Sequence, residues 1–200
     1  MSDIDDLLES LKIAGVPLEE NIEKAFKSVK IKDFTDYSSD DFWQDKPVIF
    51  MTTEAGAVKN ISAPHMIATL LHHLEIKEGQ HFLLIGSKGG YLAALLDHLL
   101  GVNGIVTIVE PHHEVLEHTR NTLETHKSKG VIRVLSSSSM DYFEEFEKPI
   151  DRVLITGAVR EIPDILNVIL QDSAFILGPF GGSVQQRLLK REKYGNQWLD

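Results

Sequence analysis

Apolar and polar positions along this chain fall into blocks whose period switches repeatedly between that of a strand and that of a helix. His81-Phe-Leu-Leu-Ile85 is short and mostly apolar, which predicts a buried strand. Tyr91-Leu-Ala-Ala-Leu-Leu opens an amphipathic helix that runs to Leu100, where Gly101 stops it. Ile105-Val-Thr-Ile-Val-Glu110 is β-branched almost throughout and predicts a strand covered on both faces. The alternation continues with a helix over Val115 to Thr125, strands over Val131 to Leu135 and Asp151 to Thr156, a helix over Ile162 to Leu170, and a strand over Ala174 to Leu177. Strands and helices taking turns from residue 81 to residue 177 call for an α/β fold with a doubly wound, mostly parallel sheet. Ligands in such folds lie at the carboxyl ends of the strands. Gly178-Pro-Phe-Gly-Gly182 reads as a loop and Val184 to Lys193 as a polar edge strand.

Upstream the period is helical. Leu7, Leu8, Leu11 and Val16 form one stripe, Gly15-Val-Pro17 interrupts it, and Ile22, Ala25, Phe26 and Val29 form a second. Residues 33–47 are loop-like, with aromatics expected to pin them to the core, and Val48 to Thr52 is a short strand. The expected organisation is an N-terminal helical extension over residues 1–47 and an α/β domain over residues 48–200. Within the latter, Pro64 suits the first turn of a helix and Ser62 is placed to cap it. Met66, Leu70 and Leu74, with Ile67 and Leu71, make that helix's buried face. His72 and His73 are adjacent, so they point in different directions and do not form a metal pair.

Composition narrows the function classes. The chain has no cysteine, which removes disulfides, thiolate metal sites and cysteine nucleophiles. Its start, Met1-Ser-Asp-Ile-Asp-Asp, is acidic, and no apolar run could cross a bilayer, so a cytoplasmic protein without membrane contact is expected. A formal net charge of −10 disfavours nucleic acid as a partner. A monomer is expected.

Candidate chemistry sits where the first parallel strand meets its helix. Gly86-Ser-Lys-Gly-Gly90 lets backbone approach a ligand, and the following helix start presents free N–H groups. The order Gly-Lys-Ser/Thr of a P-loop is missing. Glu110 closes the second strand, 20 residues beyond Gly90, where an acid can accept both hydroxyls of a ribose. A ribose fits NAD, ATP or S-adenosylmethionine, and spacing does not choose among them.

Asn60-Ile-Ser-Ala-Pro-His-Met66 resembles the Thr-Ile-Ser-Ala-Pro-His-Met signature of protein-L-isoaspartate O-methyltransferases. In the same order, Ile85-Gly-Ser-Lys-Gly-Gly-Tyr91 resembles that family's Ile-Gly-x-Gly-x-Gly-Tyr turn, Thr107-Ile-Val-Glu110 its ribose-acid strand, and Asp151 to Ala158 with Glu161-Ile-Pro163 its fourth-strand segment. The likeness extends over roughly residues 5–190. It implies a Rossmann-like methyltransferase fold, S-adenosylmethionine as cofactor, and methylation of the free carboxylate of isoaspartyl residues in damaged proteins or peptides. It places Ser62 at the catalytic position, and Asn60, Ile61, Gly86, Ser87, Gly90, Glu110, Ser137 and Ser138 around the cofactor.

The chain departs from the pattern at four places. Leu84 stands where the family has an acid, Lys88 replaces the middle glycine, and Asn60 replaces a threonine. The family's aspartate after the third strand maps to Ser137 or Ser138, with no carboxylate. Each lost charge-assisted contact costs about 1.5–3 kcal/mol. Three readings therefore follow: an active isoaspartyl methyltransferase, a catalytically degenerate binding or regulatory protein on the same fold, or a methyltransferase for another substrate.

Overall fold

The computed structural model describes residues 3–137, 149–182, 184–195 and 197–200. Seven strands form the main sheet in the order β5-β4-β3-β6-β7-β8-β9. They are β3 (His81–Ile85), β4 (Ile105–Glu110), β5 (Val131–Ser136), β6 (Ile150–Ile155), β7 (Leu170–Gly181), β8 (Gln186–Tyr194) and β9 (Gln197–Leu199). The first five are parallel, and β8 and β9 add antiparallel to the β7 side. The strand order reverses at β3, which has β4 on one side and β6 on the other. That switch opens a crevice at the carboxyl ends of β3 and β4, as expected for a doubly wound sheet.

Alternation along the central strands sends side chains to opposite faces. Phe82 and Leu84 of β3 join Val106, Ile108 and Leu154 in the larger core. Against them pack α1 (Asp3–Ile13), α2 (Glu20–Ser28), α4 (Pro64–His73) and α5 (Tyr91–Leu100), together with Val115 and Leu123 of α6 (His113–Thr125). Leu83, Val153 and Ile176 point the other way, toward Leu166 of α7 (Asp164–Ile169). The acid-to-leucine change at Leu84 thus fills a fully buried core position rather than the crevice. Leu7, Leu8 and Leu11 of the N-terminal helices are buried in the same core as the sheet. A short 3-10 turn (Ile31–Phe34) leads into residues 33–47, which also hold a one-turn helix α3 (Asp40–Trp43).

Three elements differ from the sequence expectation. A separate antiparallel ribbon pairs β1 (Val48–Thr52) with β2 (Val58–Ile61), and β2 escapes notice because Lys59 and Asn60 break its apolar pattern. Helix α7 ends at Ile169 and β7 begins at once, and of the loop expected over Gly178-Pro-Phe-Gly-Gly182 the first four residues are strand and only Gly182 lies beyond it. Pairing explains this: Gly178, Pro179, Phe180 and Gly181 face Leu189, Leu188, Arg187 and Gln186 of β8, and Val159 N–H donates to Pro179 O on the other side. Strand β8 is not the edge, because β9 covers it over three residues.

Candidate active site

The turn between β3 and α5 is fixed by backbone that only glycine adopts without cost. Gly86 has φ +88°, and a Cβ there would fall inside van der Waals contact of Thr156 Oγ1. That hydroxyl, at the end of β6, donates to the carbonyls of Ile85 and Gly86. Gly89 has φ +75°, with the ring of Phe50 from β1 2.9 Å from where its Cβ would stand. Between them Lys88 takes φ +48° although it carries a side chain.

Glu110 is buried beside this turn. Its Oε2 accepts the N–H and the hydroxyl of Ser87, both at 2.8 Å, and its Oε1 accepts the N–H of His112 at 2.9 Å. Thr119 of α6 donates in turn to the Ser87 hydroxyl at 2.7 Å. A carboxylate has about four acceptor positions. Three are used by the described residues, which leaves one on Oε1 among them, at the wall of a crevice of about 280 Å3. Asn60, Gly86, Lys88, His112 and Thr156 share that wall. His112 Nδ1 is buried there without a hydrogen-bond partner among the described residues.

A second, more apolar cavity of about 200 Å3 lies alongside, lined by Ile61, Ser62, Met66 and Leu188 among others. Lys88, Ile155 and Thr156 border both cavities. The Ser62 hydroxyl makes no hydrogen bond among the described residues. It is not the helix cap that its position before Pro64 suggests: Ala63 is the N-cap residue and offers no side-chain bond. Asp45 does that work from a distance, with Oδ1 accepting the N–H of His65 at 2.8 Å and Oδ2 facing His65 Nδ1 at 2.8 Å. Ser62 is thereby left free toward its cavity. The Lys88 ammonium is held below the usual lysine range, first by burial and then by repulsion from Lys59, with Glu110 partly opposing.

Of the residues singled out from the sequence, Asn60, Gly86 and Glu110 meet at the crevice and Ile61 and Ser62 at the neighbouring cavity. Ser87 lies beneath, fully buried, and holds Glu110. Gly90 (φ +94°) starts α5 on the side facing Thr122 and Leu123 of α6. Ser137 follows β5, its N–H donating to Glu110 O at 3.2 Å, and does not line either cavity; Ser138 lies outside the described residues. Phe50, His112 and Thr156 were not anticipated. His112 was within reach of sequence reasoning, two positions past the strand-end acid, whereas Phe50 comes from a ribbon remote in sequence.

Comparison with known proteins bears directly on this arrangement. The family model for protein-L-isoaspartate(D-aspartate) O-methyltransferase matches residues 2–199. The chain belongs to this family. A protein-L-isoaspartate O-methyltransferase of Methanococcus maripaludis is 29% identical over 186 residues, covering 92% of this chain and 84% of its own. One of Methanococcoides burtonii is 35% identical over 142 residues, covering 70% and 69%. Among solved structures, one described as a protein-L-isoaspartate O-methyltransferase of Plasmodium falciparum, in complex with S-adenosyl-L-homocysteine, superposes with a TM-score of 0.80 at 21% identity, over 98% of this chain and 92% of that one. At that identity the superposition speaks for the fold, which is the family's methyltransferase fold. No helix among the described residues is long and apolar enough to cross a membrane.

Proposed function

We infer that this chain transfers the methyl group of S-adenosylmethionine to the free carboxylate of isoaspartyl residues in peptides and proteins. The observation that carries the reading is Glu110. In a chain matched to the family over its length, its carboxylate is locked at the crevice wall with one acceptor position open. The residues present fit an adenosine. The crevice is close to the lower end of ligand pockets, about 300–1,000 Å3. Glu110 Oε1 suits a ribose hydroxyl, and the unpartnered His112 Nδ1 beside it suits a second polar atom. Leu84 is in the core, and Lys88 borders the crevice without filling it.

The bound cofactor supplies a methyl group on a cationic sulfur. The acceptor's carboxylate oxygen forms the new O–CH3 bond as the carbon–sulfur bond breaks, its electron pair going to sulfur. No proton moves, so no general base is required. What remains for the protein is to align the oxygen with the methyl group and to strip water from it. The apolar cavity beside the crevice suits the second task, and the free Ser62 hydroxyl suits the first by donating to the carboxylate. A monomer in the cytoplasm completes this reading.

Calorimetric titration with S-adenosylmethionine and S-adenosylhomocysteine, followed by methyl transfer to an isoaspartyl peptide, tests it. Saturable micromolar binding and ester formation, lost in Ser62→Ala with cofactor binding retained, is the expected result. No binding at millimolar ligand would overturn it and leave a binding module on a methyltransferase fold.

A further inference from the structure

Among the described residues, Lys88 is the one charged residue that borders both cavities, and methyl transfer as described above gives it no task. It sits in left-handed backbone at φ +48°, where the flanking glycines are at ease and a side chain is strained. Strain of this kind at a site points toward function. The residue is half-buried, and its ammonium has neither an ion pair nor a hydrogen bond among the described residues. The nearest charges do not answer it. Lys59 repels it, and the Glu110 carboxylate is already committed to Ser87 and His112 on three of its acceptor positions. A cation withdrawn from water and left unpaired is costly unless an anion arrives. An anion that answers Lys88 would stand where the Ser62 cavity and the Glu110 crevice share a wall.

We propose that Lys88 is a carboxylate-binding residue that grips the methyl acceptor, pairing with one carboxylate oxygen while the other faces the methyl donor. Ser62 lines the same cavity with an open hydroxyl, so the acceptor is held by an ion pair and a neutral hydrogen bond together. The charge gives affinity for a carboxylate over an amide. It also shields one oxygen and leaves the other as nucleophile. The chemistry rests on the methyl-transfer reading, but the binding does not require it. Lys88 is a specificity determinant by this account, filling a position where a glycine would provide no charge.

The cofactor also carries a carboxylate, and binding measurements separate the two sources. An isoaspartyl peptide, its isoasparagine counterpart and S-adenosylhomocysteine are each titrated by calorimetry into the wild type, Lys88→Gly and Lys88→Arg, the peptides without cofactor. Lys88→Gly removes the strained side chain, so an unchanged or raised melting temperature is expected and weaker binding cannot be ascribed to unfolding. The expected result is a peptide affinity about tenfold lower in Lys88→Gly, the size of one lost charge-assisted hydrogen bond. Lys88→Arg should retain most of it. The isoasparagine peptide should bind all three proteins equally weakly, and S-adenosylhomocysteine affinity should stay within about threefold. Four results would overturn the proposal: no peptide binding by the wild type, equal peptide affinity in Lys88→Gly, a loss confined to S-adenosylhomocysteine, or tighter binding of both ligands in Lys88→Gly, which would make the lysine an obstruction. Peptide binding that depends on Lys88, in a protein that neither binds S-adenosylhomocysteine nor forms the ester, would sustain the carboxylate site while sinking the methyl-transfer reading.

Discussion

The hydroxyl of Tyr91 is buried without a hydrogen-bond partner among the described residues, while its ring meets the edges of Phe34 and Phe42. Burial pushes the phenol well above the ordinary tyrosine range. An unpaired buried hydroxyl destabilises, and removing it while keeping the ring recovers the loss. Tyr91→Phe should raise unfolding free energy by about 1 kcal/mol in urea denaturation. Glu110 predicts the opposite sign. Glu110→Gln turns a three-fold acceptor into a group whose amide nitrogen must face a donor N–H. We expect S-adenosylhomocysteine affinity to fall at least about tenfold and stability to drop by about 1–3 kcal/mol, read from calorimetry and denaturation of the same preparation. At this scale the placement of Glu110 beside the turn was legible in the sequence, because its spacing from the turn is local, and the resemblance singled out Ser62, but whether the Ser62 hydroxyl would be used as a helix cap was not legible. The Ser62 hydroxyl is free because Asp45, 20 residues before His65, takes over the helix start, and nothing near Ser62 announces that.

Between elements, the loop joining α6 to β5 is pinned by Asp97 of α5, which accepts from the N–H groups of Lys129 and Gly130 and faces His126. Burial alone would raise the Asp97 carboxyl, but the hydrogen bonds from His126, Lys129 and Gly130 outweigh it and hold the carboxyl below the usual range. A carboxyl lowered in the folded state stabilises above its unfolded value, about 3.9, and that contribution disappears as pH falls through the lower folded value. Acid unfolding should therefore steepen below about pH 4, and Asp97→Asn should flatten that limb while lowering stability at neutral pH. Gly86→Ala tests the contact between the turn and β6. With φ +88° and Thr156 Oγ1 in the way, it should cost more than about 1 kcal/mol and abolish binding in the crevice, with Thr156→Ala restoring part of the stability. Strands β3 and β4 were readable because both faces are covered and their residues are mostly apolar or β-branched. The far end of β7 was not, because its glycines and Pro179 are strand only through pairing with β8.

Across the molecule, the helices α1 and α2 share the sheet's larger core, so stability should not divide at residue 47. Leu8→Ala, at a position 2% exposed, should destabilise the whole chain by about 2–5 kcal/mol in a single cooperative transition. A separate early transition for the N-terminal residues would contradict that. The ring contacts passing through this core reach the ligand turn. Tyr91 follows Gly90 directly, lies edge-on to Phe42 with centroids 5.6 Å apart, and Phe42 lies edge-on to Trp43 at 5.4 Å. The chain's other tryptophan, Trp198, belongs to the far edge strand. The protein thus carries an optical reporter wired to the ligand turn: in a Trp198→Phe background, the emission of Trp43 should track occupancy of the crevice without any label.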